Sequence, residues 1–396
     1  MISNELVEWL IEEKKMSIRS AKDVLSRCGR ICRMLDIDVI DDNTFNQLIE
    51  SDKYNECSMF IKSQLKRTVT LYSEFLSRKE INMQNQITVG SMFAGIGGIC
   101  LAFKQNWCQL VWANEIDKHA CKTYRLNFGD EYLVEGDIQK INTKDIPKFD
   151  ILTAGFPCQA FSSVGLLEGF NDPRGNLFFE TVRVINAVKP KVVFLENVAN
   201  LVKHDEGKTF EIILETLENL GYYTVYKVMN AKEYGNIPQQ RNRIYIVAFR
   251  YKKYLNKFKF PDMIPLTQTA FDLFEKEKQD EKYYMNGHRM WDRMMEYMND
   301  RKRVYRFTDW GLSRGMEGIC PTLLAAMGSR FERIPFFYDD YSVRLMTPRE
   351  CARLQGFPES YILPKENEKQ VYKQIGNSVC VPVVDRIVQN IVKALL

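Results

Sequence analysis

Several things are scarce in this sequence, and each scarcity narrows what the chain can be. No apolar run approaches the roughly 20 residues that cross a bilayer, which argues against a membrane-spanning helix. There are three histidines, and no two of the ten cysteines form a CxxC pair. That is a poor supply of ligands for structural zinc, and no metal is expected. Charge of one sign is also lacking: 55 Lys and Arg against 51 Asp and Glu leave +4. The chain as a whole is no polycation, so any nucleic-acid surface must be a local patch. The opening stretch MISNELVEWLIEEKK is acidic and amphipathic, without the basic start and apolar core of a signal peptide. With scattered thiols, it predicts a reducing cytoplasm.

What is present is ordinary for a globular protein. The 396 residues are 45% apolar and 27% charged, enough for two or three domains with real cores. Three zones differ in texture. Residues 1–84 carry apolar residues at three- and four-residue steps: Ala21, Val24, Leu25, Cys28, Ile31, Cys32 and Leu35, then Ile61, Leu65, Val69, Tyr72 and Leu76. This spacing predicts an all-helical domain. The polar stretch Ser77 to Gln86 then reads as a linker.

Residues 85–249 alternate short apolar runs with helical patterns. Strands are expected over Ile87–Met92, Leu110–Asn114, Ile151–Ala154, Val192–Leu195, Tyr223–Met229 and Ile244–Phe249. Helices are expected over Gly98–Gln105, Lys118–Asn127, Leu177–Val188 and Gly207–Leu220. Such alternation predicts βαβ units, an α/β class and a mainly parallel sheet. Residues 250–343 break the pattern and are rich in Lys, Arg, Met and aromatics. Arg250 to Asp340 holds 17 Lys and Arg against 14 Asp and Glu. Regular patterning returns over 344–371 and 372–396, ending in an apolar helix from Val383 to Leu396.

Four features stand in order at successive strand ends. The first is the glycine turn Phe93-Ala-Gly95-Ile-Gly97-Gly98, followed by Glu115 after the next strand and then Asp137 in Gly136-Asp137-Ile138. Glycines allow close backbone approach to a ligand, and a turn followed by two acids suits a nucleoside. The spacing is not G-x-G-x-x-G, which argues against a dinucleotide phosphate site. The second is Cys158, set among Gly, Pro and polar residues in GFPCQAFS (155–162). The other nine cysteines read as small buried hydrophobes. The third is Glu196, an acid ending an apolar strand, where partial burial would raise its pKa. The fourth is the pair Arg241 and Arg243, two residues apart at the opening of a strand and therefore expected on one side of it.

These stretches resemble the DNA cytosine-5 methyltransferases of bacterial restriction–modification systems. The matching elements are FAGIGG (93–98), NEID (114–117), GDI (136–138), GFPCQAFS (155–162), ENV (196–198), QQRNRIY (239–245), RLMTPRECARLQGFPESY (344–361) and QIGNSV (374–379). They occur in the family's order. The resemblance implies a Rossmann-like AdoMet-dependent methyltransferase fold over 85–249 plus 372–396. It also implies a target recognition domain over 250–343 and a hinge segment over 344–371. S-adenosyl-L-methionine is the implied cofactor and double-stranded DNA with a short specific site the implied partner. A cognate restriction endonuclease would be a functional partner only.

By match, Cys158 is the nucleophile, Glu196 holds N3 and the exocyclic amine, Arg243 contacts O2 of the ring, and Arg241 supports the site. The chemistry explains the set. Cytosine C5 is a weak nucleophile, and a thiolate adding at C6 makes it enamine-like. The target base must leave the duplex stack to be reached. Phe93, Gly95, Gly97, Gly98, Glu115, Ile116, Asp137, Ile138, Pro157, Asn377 and Val379 are implied for the cofactor. Gln159, Ser162, Thr322 and Leu323 are implied for DNA. Some family members carry a second serine two residues after Ser162; here that position is Val164.

Two rivals remain on the sequence alone: a tRNA cytosine-5 methyltransferase and a non-catalytic DNA-binding regulator. The roughly 90-residue segment before the hinge disfavours the first. An intact Pro-Cys, Glu-Asn-Val and Arg-x-Arg set disfavours the second. Amino-methylating enzymes use a Pro-Pro-aromatic loop, and the chain has no Pro-Pro. The N-terminal zone shows a short resemblance, over Ser17–Arg27 and Leu71–Leu76, to the DNA-clamping domain of tyrosine recombinases. Residues 1–86 hold 13 Lys and Arg against 14 Asp and Glu, so a packing or oligomerisation role stands beside that one.

Overall fold

The computed structural model describes residues 4–12, 14–37, 40, 43–84, 86–156 and 177–396. The chain divides into two compact units, Met1–Gln86 and Ile87–Leu396.

The first unit is helical: Asn4–Glu12, Ile18–Leu35, Thr44–Glu50, Asp52–Asn55 and Met59–Gln84. Ser17 caps the second helix, its hydroxyl accepting from the Ser20 amide, as an N-cap serine does. Ala21, Val24, Cys28 and Ile31 form its buried stripe and meet Leu65, Val69, Tyr72 and Phe75 of the long helix. The stretch expected to be a linker is mostly helix, since Met59–Gln84 runs through it. Its Arg, Lys, Glu, Met and Gln are good helix formers and no Gly or Pro interrupts them.

The second unit is built on a seven-stranded sheet. Its strands are β1 (Thr88–Met92), β2 (Gln109–Glu115), β3 (Leu133–Glu135), β4 (Ile151–Ala154), β5 (Val192–Val198), β6 (Tyr223–Asn230) and β8 (Asn242–Phe249), in the order β3-β2-β1-β4-β5-β8-β6. The pairs from β3 to β5 are parallel; β8 runs antiparallel between β5 and β6. Both faces are covered. Along β5, Val192 and Phe194 enter one apolar core while Val193 and Leu195 enter the other, which is why the parallel strands read as continuous apolar runs. The chain adds strands outward from β1 to β3 and then returns to place β4 on the other side of β1. Ligands bind at such a reversal, beyond the carboxyl ends of the strands.

Residues 250–343 carry short helices, Trp291–Tyr297 among them, beside strands. They contribute β9 (Arg303–Thr308), β10 (Gly311–Glu317) and β12 (Phe336–Tyr338), which join β13 (Val343–Leu345) in an antiparallel sheet ordered β10-β9-β12-β13. A two-residue parallel pairing of β7 (Gln239–Gln240) with β11 (Cys320–Pro321) ties this region to the large sheet. Arg344, in β13, is fully buried and bonded to both oxygens of the equally buried Glu350 at 2.8 and 2.6 Å and to Asp339 at 2.9 Å. Such a network is costly to break once either partner is removed.

Candidate active site

The turns after β1, β2 and β4 and the end of β5 open onto one cavity of about 500 Å³. The chain from Gly376 to Val379 lines it from the other side. Among the described residues expected at the cofactor, Phe93, Gly95, Gly98, Glu115, Ile116, Asn377 and Val379 line this cavity, as do Glu196 and Arg243.

The three glycines of the turn do different work. Gly95 has φ +57° and nothing within 4 Å of where a Cβ would stand, so its open side is free for a ligand. Gly97 also has positive φ (+80°), but a Cβ there would lie 2.3 Å from the Phe128 ring. At Gly98 a Cβ would lie 2.6 Å from Ser378 Oγ. Of these two, Gly98 also lines the cavity and Gly97 does not. Gly97 and Gly98 are demanded by backbone handedness and by packing against protein. Phe93 itself adopts φ +52°, a costly conformation that tends to mark functional turns.

Glu115 is held in place by backbone. Its Oε2 accepts from the Gly95 amide at 2.8 Å, and its Oε1 from the amides of Ile116 and Asp117, both at 2.8 Å. Ile116 next to it is 62% exposed, an apolar side chain at the rim of the cavity. Asp137 and Ile138 do not line the cavity. Asp137 caps a short helical turn by accepting from the Gln139 amide, and the Ile138 side chain is buried in the core. An isoleucine following a short strand has the apolar surface to fill that core, and burial takes it.

Glu196 is 8% exposed. Arg243 lies diagonally across the β5–β8 ladder on the same face, its Nε 3.1 Å from Glu196 Oε1. Burial raises the Glu196 pKa, and the charges of Arg243 and Arg241 oppose that rise without cancelling it. Arg241 precedes β8 and turns inward rather than joining Arg243 at the cavity. Its Nη1 donates to the Leu323 carbonyl at 2.9 Å, and its Nη2 donates to the carbonyls of Gly376, at 3.2 Å, and Ser378. Burial, then the neighbouring Arg243, pushes its pKa down to about 10. It still carries its charge at neutral pH.

Leu323, expected at DNA, is fully buried, and its amide donates to Gln239 Oε1 at 3.0 Å. The exposed side chain beside it is Leu324. Thr322 is half-buried, with its hydroxyl donating to the Gln240 carbonyl. Both positions are drawn in by the β7–β11 pairing, which puts the element against the start of β8. Pro157, Cys158, Gln159 and Ser162 lie outside the described residues.

Other residues at the cavity were not singled out from sequence. Asp117 caps the helix Lys118–Phe128 and binds Lys373 Nζ at 2.7 Å, joining the helix to Glu368–Asn377. Asn197 donates to the Phe156 carbonyl at 2.9 Å, fixing the chain just before Pro157. Asp117 and Asn197 lie inside NEID and ENV, where the acidic neighbour draws the eye. Lys373 has no signal beyond its place on a helix.

A family model described as C-5 cytosine-specific DNA methylase matches residues 87–393. The chain is 44% identical over 315 residues to the Type II methyltransferase M.Bsp6I of Bacillus sp. (strain RFL6), covering 78% of this chain and 100% of that protein. It is 39% identical over 310 residues to the Type II methyltransferase M.HhaI of Haemophilus parahaemolyticus, covering 77% and 94%. Among solved structures, the S. pombe Dnmt2 methyltransferase aligns with a TM-score of 0.60 at 22% identity over 78% of this chain and 99% of that one. That last likeness is one of fold.

Proposed function

The chain belongs to the C-5 cytosine-specific DNA methylase family, and we propose that it methylates C5 of a cytosine within a short duplex site, with Cys158 as nucleophile and Glu196 and Arg243 holding the ring. The observation that carries the reading is the buried Glu196–Arg243 pair beside a cavity at the sheet's reversal point. Cys158 follows Phe156 by two residues, and the Phe156 carbonyl is anchored to Asn197 next to that pair.

S-adenosyl-L-methionine fits the residues present. Glu115 and Asp117 line the cavity as carboxylates, and a carboxylate is the counter-charge that suits a sulfonium. Gly95 offers open backbone, Ile116 an apolar surface for a purine, and Glu115 a positioned acceptor for hydroxyls. Bound there, the compound supplies an electrophilic methyl group.

The chain's own residues do the rest. The Cys158 thiolate adds to C6 of the flipped cytosine, the C5–C6 π pair shifts to C4–C5, and the C4–N3 π pair moves onto N3, which takes a proton from Glu196. Glu196, with its raised pKa, holds a proton toward N3 and accepts from the exocyclic amine as charge develops. Arg243 keeps Glu196 in place and faces O2. Once C5 carries the methyl group, a base removes the C5 proton, the double bond re-forms and the Cys158–C6 bond breaks. Arg241 holds the Leu323 and Gly376–Ser378 backbones together behind this pair. A role in a restriction–modification system, protecting DNA from a partner endonuclease, is inferred from the likeness to Type II methyltransferases.

The test is a duplex in which the target cytosine carries fluorine at C5. No proton can leave, so the protein should remain covalently attached to DNA in denaturing gels. Cys158→Ser should lose the adduct. An adduct that survives this substitution removes Cys158 from its role.

A further inference from the structure

The first unit carries 13 Lys and Arg against 14 Asp and Glu, yet its charges are separated. Helix Ile18–Leu35 has five cations (Arg19, Lys22, Arg27, Arg30, Arg33) and one acid, Asp23. Residues 36 to 57 have seven acids and one lysine. On the helix, Arg19, Lys22, Arg30 and Arg33 are exposed and fall at steps of 3, 8 and 3 residues, which places them on one side, roughly opposite the buried stripe Ala21, Val24, Cys28 and Ile31. Arg30 reaches the Cys57 thiol at 4.0 Å. Among the described residues, no carboxylate forms an ion pair with any of the four. A solvated helix that only needs solubility mixes its signs with i, i+4 partners; here Asp23 is the lone acid.

On the flank of the same helix, Arg27 and Arg67 line a groove of about 280 Å³ with Ser20, Asp23, Gln64 and Thr68. The two guanidinium groups, Ser20 and Gln64 can donate hydrogen bonds, while the Thr68 hydroxyl donates to the Gln64 carbonyl at 2.9 Å. Arg19 to Arg33 spans about 21 Å of helix, the length of about six phosphates along one strand of a duplex.

We propose that the outward face of helix Ile18–Leu35 binds the phosphate backbone of duplex DNA without regard to sequence, so that the first unit is a second DNA contact, additional to the methylation site. The face reads no bases: four long cations on one helix side offer phosphate contacts, which give affinity and salt dependence rather than specificity. Net charge hides the face because the acids of residues 36–57 cancel it in the sum.

The test uses the full chain without cofactor and poly(dA)·poly(dT) as probe, a duplex with no cytosine. Affinity is measured between 50 and 200 mM salt by anisotropy. Replacing Arg19, Lys22, Arg30 and Arg33 together by Gln should reduce the slope of log K against log[salt] by about 3 to 4, at about 0.9 per lost phosphate contact. Arg19→Gln with Arg33→Gln alone should reduce it by about 2, and serves if the fourfold variant loses its helical circular dichroism. An unchanged slope in a folded variant overturns the proposal. Transfer of a methyl group to cytosine-containing DNA by the unaltered protein is assayed separately. Its absence would sink the catalytic reading and leave the slope result standing.

Discussion

The two sheets of the larger unit place residues in contrasting ways. In the parallel sheet, the turns after β1, β2 and β4 and the end of β5 open onto the same cavity, so Gly95, Glu115, Phe156 and Glu196 meet although 101 positions separate the first from the last. In the antiparallel sheet that follows, the hairpin between β9 and β10 carries Trp310 outward, 97% exposed, and no apolar pattern binds it to a cavity. A site built at one edge of a parallel sheet is set by topology. A surface built on hairpins is set by whatever it meets.

The largest effect should come from the proposed nucleophile. Cys158→Ala should lower methyl transfer by at least about 10³-fold, measured with radiolabelled methyl donor, while cofactor binding by calorimetry persists. Glu196→Gln should cost about 10² to 10³ in kcat and should flatten the alkaline limb of the pH–rate profile, since the raised pKa of Glu196 is what holds a proton available. Stability gives a second sign. A carboxyl whose folded pKa lies above its unfolded value stabilises the fold most below the unfolded pKa and loses that contribution as pH rises through the folded one. Glu196→Gln should therefore gain thermal stability relative to the unaltered protein as pH rises from 4 toward 7, about the usual carboxyl range. A variant whose relative stability falls over that range contradicts the burial argument.

Within the turn, the glycines should separate two kinds of demand. Gly97→Ala meets both a left-handed backbone, about 1–2 kcal/mol, and the Phe128 ring, and should lose about 2–4 kcal/mol in denaturant melts. Gly95→Ala has the backbone cost alone, so it should lose about 1–2 kcal/mol and show its main effect as weaker cofactor binding. The smallest effect on stability should come from the hairpin: Trp310→Ala should change it by no more than about 0.5 kcal/mol, so a weakened affinity for target DNA in that variant reads directly as a lost contact.

The same contrast explains what sequence could reveal. The parallel strands and their helices were legible because burial on two faces leaves continuous apolar runs, and the motif acids stand where those runs end. Ile138 and Leu323 were placed at ligands but are buried, because a motif records position in the chain and not which way a side chain turns. Arg241 gave no sign that it faces inward to three carbonyls. The antiparallel sheet of residues 303–345 was not legible, because its strands mix charged and aromatic residues without alternation: Arg303-Val-Tyr-Arg-Phe-Thr308 is one of them. The basic face of the first unit vanished in a net count.

The central claim is that the Cys158 thiol makes C5 of a cytosine in DNA reactive. Bisulfite sequencing of plasmid DNA from a methylation-free host making the protein, or its Cys158→Ala variant, tests it most directly. The account predicts cytosines protected in one short motif with the unaltered protein and none with the variant. Unprotected DNA from cells that contain folded, cofactor-binding protein would contradict it.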